Sequence, residues 1–134
     1  MVCVQCGHKT AVINSRHQRR SNRVWRRRQC EACGALFTSE ERPDYLRSWR
    51  VRDKTGHLEP FSRDKLFLSL YEAVRHRSTA VADAGGLADT VINKLGGQVQ
   101  DGVVQASVIA RTAQVALNRF DRAASVAYQV FHAV

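Results

Sequence analysis

Acidic side chains are in short supply in this sequence of 134 residues: 12 Asp and Glu stand against 21 Lys and Arg, for a formal charge of +9 and a pI near 10.1. A cation excess of that size implies anionic partners and favours a polyanion-binding protein. Long apolar runs are missing as well. No stretch approaches the roughly 18–20 residues that cross a bilayer, so no membrane partner is expected. The opening residues, Met1 to Gly7, lack a basic segment leading into an apolar one. A secretory signal is therefore not expected, and the location is expected to be cytoplasmic. Catalytic signatures are absent too: there is no GxSxG, HExxH, Walker loop or Rossmann glycine fingerprint. With no His/Cys or paired-carboxylate constellation either, an enzyme is not expected. What remains is 44% hydrophobic and 25% charged, as in ordinary folded chains, at a length that allows one domain or two small ones.

Cysteine disappears beyond residue 33, and that sharpens the picture. All four lie in two CxxC pairs, Cys3-Val4-Gln5-Cys6 and Cys30-Glu31-Ala32-Cys33. Two thiolates three positions apart across a tight turn both reach one zinc ion at about 2.3 Å, and two such knuckles complete a tetrahedral site. Gly7 and Gly34 follow the second cysteine of each pair and permit the positive φ that such turns use. Disulfides are the lesser alternative, because no export signal is visible. His8 and His17 are not counted as ligands beside a full set of four thiols. Residues 1–42 carry a net charge of +6, and the longer remainder +3. A domain of about 42 residues cannot bury an adequate core, so metal would supply its stability.

Between the pairs, Lys9, Arg16, Arg19, Arg20, Arg23, Arg26, Arg27 and Arg28 occur with no acid among them. Ala11-Val12-Ile13 and Val24-Trp25 suit two short strands joined by a loop over Gln18–Asn22. Alternation along a strand puts Arg26 and Arg28 on one face and Arg27 on the other. Guanidinium forks match phosphate oxygens and the O6/N7 edge of guanine, so nucleic acid is the expected ligand.

The remainder reads as a small α+β domain. Leu46, Trp49 and Val51 lead into a turn at Asp53–Gly56, and Leu58–Phe61 returns as the second arm of a β-hairpin. Ser62 is a good N-cap for a helix near 63–76. Helices are also expected near 84–95, closed by Gly96-Gly97, near 105–119, and from Asp121 to about residue 133. Val99 to Val104 reads as a turn.

With both halves in view, the sequence resembles the NrdR family of bacterial repressors of ribonucleotide reductase genes. The matching residues are Cys3-x-x-Cys6, Val12-Ile13, Ser15-Arg16, Arg26-Arg27-Arg28-Gln29-Cys30-x-x-Cys33, Phe37-Thr38 with Glu41, and Glu59-Pro60-Phe61-Ser62-Arg63 with Lys65-Leu66. The resemblance implies a four-cysteine zinc ribbon over 1–42 and a mostly helical ATP-cone with a β-hairpin cap over 43–134. It implies one Zn2+ per chain on Cys3, Cys6, Cys30 and Cys33. It implies a double-stranded operator contacted by Arg16, Arg19, Arg20, Arg26, Arg27 and Arg28, with Arg16, Arg26 and Arg28 foremost. The cone would bind ATP or dATP, with Mg2+ as a possible companion, through Val51, Lys54, Glu59 and Lys65, and nucleotide would reset a homo-oligomer. Two departures bear on sensing: Asp53 stands where the family favours lysine, and Val130 where it favours arginine. A constitutive DNA-binding module with a non-sensing cone and an accessory protein docking on the reductase are the competing readings.

Overall fold

A computed structural model describes residues 1–132 of the chain. The fold is α+β, in two compact units, Met1–Pro43 and the residues from Asp44 onward.

The first unit is a three-stranded antiparallel sheet in the order β1-β2-β3, with β1 at Thr10–Gln18, β2 at Arg23–Cys30 and β3 at Leu36–Glu41. The Arg19–Asn22 turn joins β1 to β2, with Asn22 in the left-handed region at φ +51. Thr10 pairs with Cys30 at one end and Gln18 with Arg23 at the other, with a bulge between Val12 and Asn14. The third strand is an addition to the hairpin read from sequence. Leu36-Phe37-Thr38-Ser39 alternates in burial but offers few apolar residues, so the strand is visible only through its pairing with β2. The buried residues of the first unit are few: Cys3, Thr10 and Cys30.

The second unit opens with a single helical turn, α1 (Tyr45–Ser48), where a strand was expected around Leu46. Asp44 caps it by accepting from the Arg47 N–H at 3.2 Å. The hairpin is correspondingly shorter: β4 (Arg50–Arg52) pairs antiparallel with β5 (Leu58–Pro60). A third strand, β6 (Val103–Gln105), lies parallel to β4 on its other side, in the region read as a turn. Three residues are too few to show a period, and a parallel partner distant in sequence leaves no local signal.

Four helices follow or flank this sheet: α2 (Arg63–Val74), α3 (Ala80–Leu95), α4 (Ala106–Phe120) and α5 (Arg122–Phe131). Helix α3 starts four residues earlier than expected, and Asp83 sits inside its first turn. There Asp83 accepts from the Thr79 hydroxyl at 2.6 Å and from Arg77 at 2.9 Å instead of capping. Gly96 ends α3 with right-handed dihedrals, φ −52 and ψ −33, so no left-handed glycine cap is made. Helix α5 ends at Phe131, where the His132 N–H donates to the Tyr128 carbonyl at 3.0 Å, and residue 133, where its end was expected, lies outside the described residues. Leu70, Val74, Ala84, Ala88, Val91, Leu95, Ala113, Leu117, Ala124 and Tyr128 form one apolar core, joined by Phe61, just past β5, and Val104 of β6. Tyr45 and Trp49 pack against it with their rings tilted by 48°, and Phe61 meets both edge to face, with centroids 4.5–6.5 Å apart.

Candidate metal centre and nucleic-acid interface

The two CxxC turns repeat one backbone pattern. In the first, Gly7 N–H donates to the Cys3 carbonyl at 3.0 Å and Cys3 N–H to that of His8 at 2.8 Å. In the second, Gly34 N–H donates to the Cys30 carbonyl at 3.2 Å and Cys30 N–H to that of Ala35 at 2.9 Å. Gly7 and Gly34 adopt φ +77 and +76, a region where a side chain would be strained. The turns also aim N–H groups at sulfur. Gln5 N–H meets Cys3 Sγ at 3.3 Å, and Ala32 and Cys33 N–H meet Cys30 Sγ at 3.3 and 3.4 Å. Register supplies the rest: Cys30 ends β2 opposite Thr10, which brings the second knuckle to the first.

All four sulfurs lie within 4.8 Å of one another, with Cys3–Cys33 at 3.7 Å and Cys6–Cys30 at 3.4 Å. Four sulfurs at about 2.3 Å from one zinc ion in a tetrahedron lie about 3.8 Å apart, so the set fits that ion. The charge balance fits it too. Cys30 is pulled down to about 6, first by the backbone N–H of Cys33, with the Ala32 N–H and the Cys6 thiol adding to it against burial. Cys6 is pushed up to about 12. A hydrogen bond to the His8 backbone lowers it, but the neighbouring Cys30, burial, Cys33 and Cys3 together outweigh that. Four thiolates this close cannot all ionise against one another, and a divalent cation removes the conflict. Cys3 and Cys30 are buried while Cys6 and Cys33 are exposed, so one side of the centre faces solvent. His8, not counted among the ligands, brings its Nδ1 to 3.3 Å from Cys6 Sγ.

The arginines divide between the two faces of the sheet. Val24, Arg26 and Arg28 share the face of Cys30, and all three are half-buried. Arg26 Nη1 donates to Ser15 Oγ at 3.1 Å, and its Nη2 lies 3.5 Å from Glu41. Arg28 Nε donates to Ser39 Oγ at 2.9 Å. Trp25 and Arg27 are exposed on the opposite face. Arg16 pairs across from Trp25 and Asn14 across from Arg27. Together with Thr38 these side chains line a cleft of about 250 Å³. Arg19 and Arg20 are exposed at the turn. The sequence marks Trp25 only as an apolar strand residue. Its parity with Arg27 and Arg23 was the available signal for an outward indole.

In the second unit, the four residues expected at nucleotide are spread over β4, β5, the turn between them and the start of α2. Lys54 lines a cavity of about 280 Å³ with Arg52, Asp53, Gln105, Ser107 and His132. Val51 lies centrally in β4, paired with Glu59 on one side and Val104 on the other. Lys65 Nζ reaches Glu59 at 3.3 Å on the β5 side. Gln105 precedes α4 without a side-chain cap, so the first N–H groups of that helix border the cavity's edge unsatisfied by a cap. Asp53 is turned into its own loop. Its Oδ1 accepts from Thr55 N–H at 2.9 Å, Thr55 Oγ1 at 2.7 Å and His57 N–H at 2.9 Å. Those bonds, the Thr55 hydroxyl first, hold its carboxyl below the ordinary range.

Comparison with known proteins agrees with the ribbon geometry. Residues 1–41 match the family described as Transcriptional repressor NrdR-like, N-terminal domain. A Transcriptional repressor NrdR of Symbiobacterium thermophilum is 34% identical over 96% of this chain and 84% of its own length. One from Halomicrobium mukohataei is 31% identical over 96% of this chain and 78% of its own, and one from Streptococcus thermophilus 38% over 81% and 68%. This chain belongs to the NrdR family of transcriptional repressors. Membership accounts for the four-cysteine set as the family's zinc ribbon and makes DNA the partner expected of the family. Among the described residues, no helix is long and apolar enough to cross a membrane.

Proposed function

We propose that this chain is a zinc-dependent repressor of ribonucleotide reductase genes, whose ribbon binds operator DNA and whose second unit binds ATP or dATP. The observation that carries the reading is the arginine-laden sheet pinned at one end by four clustered thiols. One Zn2+ on Cys3, Cys6, Cys30 and Cys33 would fix the sheet's twist and strand register. Arg16, Arg19, Arg20, Arg26, Arg27 and Arg28 then give the small unit a dense cationic field for a DNA backbone. A single ribbon makes few contacts, so a specific site needs two or more ribbons on linked half-sites. A nucleotide that changes subunit packing would change ribbon spacing and thereby operator affinity. By linkage, DNA would favour the same nucleotide state.

The cavity at the start of α4 supports the nucleotide part. Arg52 and Lys54 place two cations beside an uncapped helix N-terminus, an arrangement suited to phosphates. Asp53 is satisfied by its own turn, and Arg52 supplies the cation that the family's lysine would have given. Lys65, now paired with Glu59, would join the phosphates once a ligand separates that pair. Val51 would lie beneath the nucleotide at the middle of the sheet.

The test couples two measurements. Light scattering after size exclusion, with ATP, dATP or neither, should show distinct oligomers. Each form is then titrated with duplexes from reductase gene promoters, and affinity should follow oligomeric state. Calorimetry of wild type and Arg52→Ala, with and without magnesium, locates the phosphates. If neither nucleotide gives heat, the unit is a scaffold and the chain is a constitutive DNA-binding module. If promoter duplexes fail to bind in any state, the repressor reading falls.

A further inference from the structure

We infer that the outer face of the ribbon sheet, carrying Asn14, Arg16, Trp25 and Arg27, reads base edges in the major groove of duplex DNA, while Arg26 and Arg28 act from the opposite face by holding the three strands together. This rests on the ribbon being the DNA-binding unit; of the three arginines that the resemblance puts foremost it keeps Arg16 and exchanges Arg26 and Arg28 for Arg27.

The first support is the division of labour among neighbouring arginines. Arg26 bridges β2 to both flanking strands, through Ser15 on β1 and Glu41 on β3. Arg28 ties β2 to β3 through Ser39. Both are half-buried on the face that also carries the buried Cys30. A guanidinium committed in this way must give up hydrogen bonds before it can present its fork to a base. Arg27 makes one long side-chain bond, to Thr38 at 3.3 Å, and Arg16 makes no ion pair among the described residues. Both are exposed.

The second support is Trp25, whose 40% exposure leaves much of an indole in water on the same face. A large apolar ring there finds no core to enter, because the first unit buries little besides Cys3, Thr10 and Cys30. A ligand with apolar edges would remove that surface from water. Thymine methyl groups in the major groove are such edges, and guanine O6/N7 and adenine N6/N7 suit an arginine fork and an asparagine amide. The cross-strand register sets these groups side by side: Arg16 opposite Trp25, and Asn14 opposite Arg27. The Val12–Asn14 bulge adds local twist to β1 at that point. Two strands lie about 4.8 Å apart, so a β1–β2 ribbon fits the major groove in width.

The experiment uses the zinc-loaded full chain. A pool of randomised duplexes is enriched against wild type, and anisotropy then gives affinities for the selected duplex and a shuffled one at fixed salt. Arg27→Ala and Trp25→Ala should each lower the selected-to-shuffled ratio by about tenfold or more. Arg28→Ala should weaken both duplexes alike and lower the ribbon's melting temperature. Should Trp25→Ala lose zinc, Trp25→Phe and Arg27→Lys decide, since the latter keeps the charge and loses only the fork. A ratio that collapses in Arg28→Ala and survives in Arg27→Lys and Trp25→Phe overturns the assignment alone. Preference for a single strand of the selected sequence over its duplex also overturns it. A wild-type chain that enriches no duplex overturns this inference together with the DNA-binding reading.

Discussion

The two units of this chain solve the same stability problem in opposite ways. The second buries a continuous apolar cluster, with Leu70, Val74, Val91, Leu95 and Leu117 fully or almost fully removed from water. The first buries only two cysteines and a threonine, and leaves its other side chains, polar, cationic and apolar alike, exposed or half-buried. A core built from apolar contacts is distributed, so losing one side chain weakens it by a few kcal/mol. A core built on one metal is concentrated, so losing one ligand removes it. The arrangement leaves one face of the ribbon, with Arg16, Trp25 and Arg27, exposed for a partner, which a sheet that had to fill its own interior could not offer.

The sharpest way to break the comparison is to remove a thiol. Cys30→Ser should abolish stoichiometric zinc and the sheet's amide protection, while the helical circular dichroism of the second unit persists. Retained zinc with an intact sheet would show that the first unit does not depend on the four-sulfur set. The reciprocal change is Leu117→Ala. It should destabilise the second unit by about 2–5 kcal/mol in a denaturant titration and leave the zinc content unchanged. Zinc loss in parallel with helix loss would show that the units are not energetically separate.

A smaller effect is expected at the junctions of the helices. Asp121 caps α5 by accepting from Ala123 and Ala124 N–H at 3.0 and 3.2 Å, and meets His76 at 3.0 Å and Arg77 at 3.3 Å. Arg77 also pairs with Asp83 and lies over the Phe120 ring at 4.6 Å. Asp121→Ala should cost about 1 kcal/mol through the lost cap, read as a lower melting temperature of the helical unit only.

The smallest expected effect is a pH dependence. Asp121 is held below the ordinary carboxyl range first by His76, then by the Ala124 N–H and Arg77; Asp83 is held down first by the Thr79 hydroxyl, then by Arg77. Because the folded pKa values are depressed, this stabilisation is complete above the unfolded value of about 3.9 and is lost as pH falls through the folded values. Acid should therefore begin to loosen the α2–α3 and α4–α5 junctions below about pH 4, and Asp121→Asn should flatten that part of the stability profile. An unchanged slope in the variant would place the acid sensitivity elsewhere.

Much was legible in the residues themselves. Ligand spacing is a local property, so Cys3-x-x-Cys6 and Cys30-x-x-Cys33 with their following glycines announced the metal centre before any fold was known. The long helices were legible for the same reason: apolar periodicity over three or four turns is strong, and Ser62 and Asp121 mark two starts. What only the tertiary structure decided was pairing between distant segments. Neither β3 nor β6 has a period of its own, and each exists because β2 or β4 offers an edge. The same holds for the arginines. Alternation says that Arg26 and Arg27 point apart, but not which direction is outward. That was settled by Ser15, Ser39 and Glu41, brought to one face by register, and by Cys30, whose burial makes that face the inner one. Asp53 shows the limit most sharply. Its charge is legible in the sequence, but not that three hydrogen bonds within a five-residue turn hold that carboxylate in its own loop.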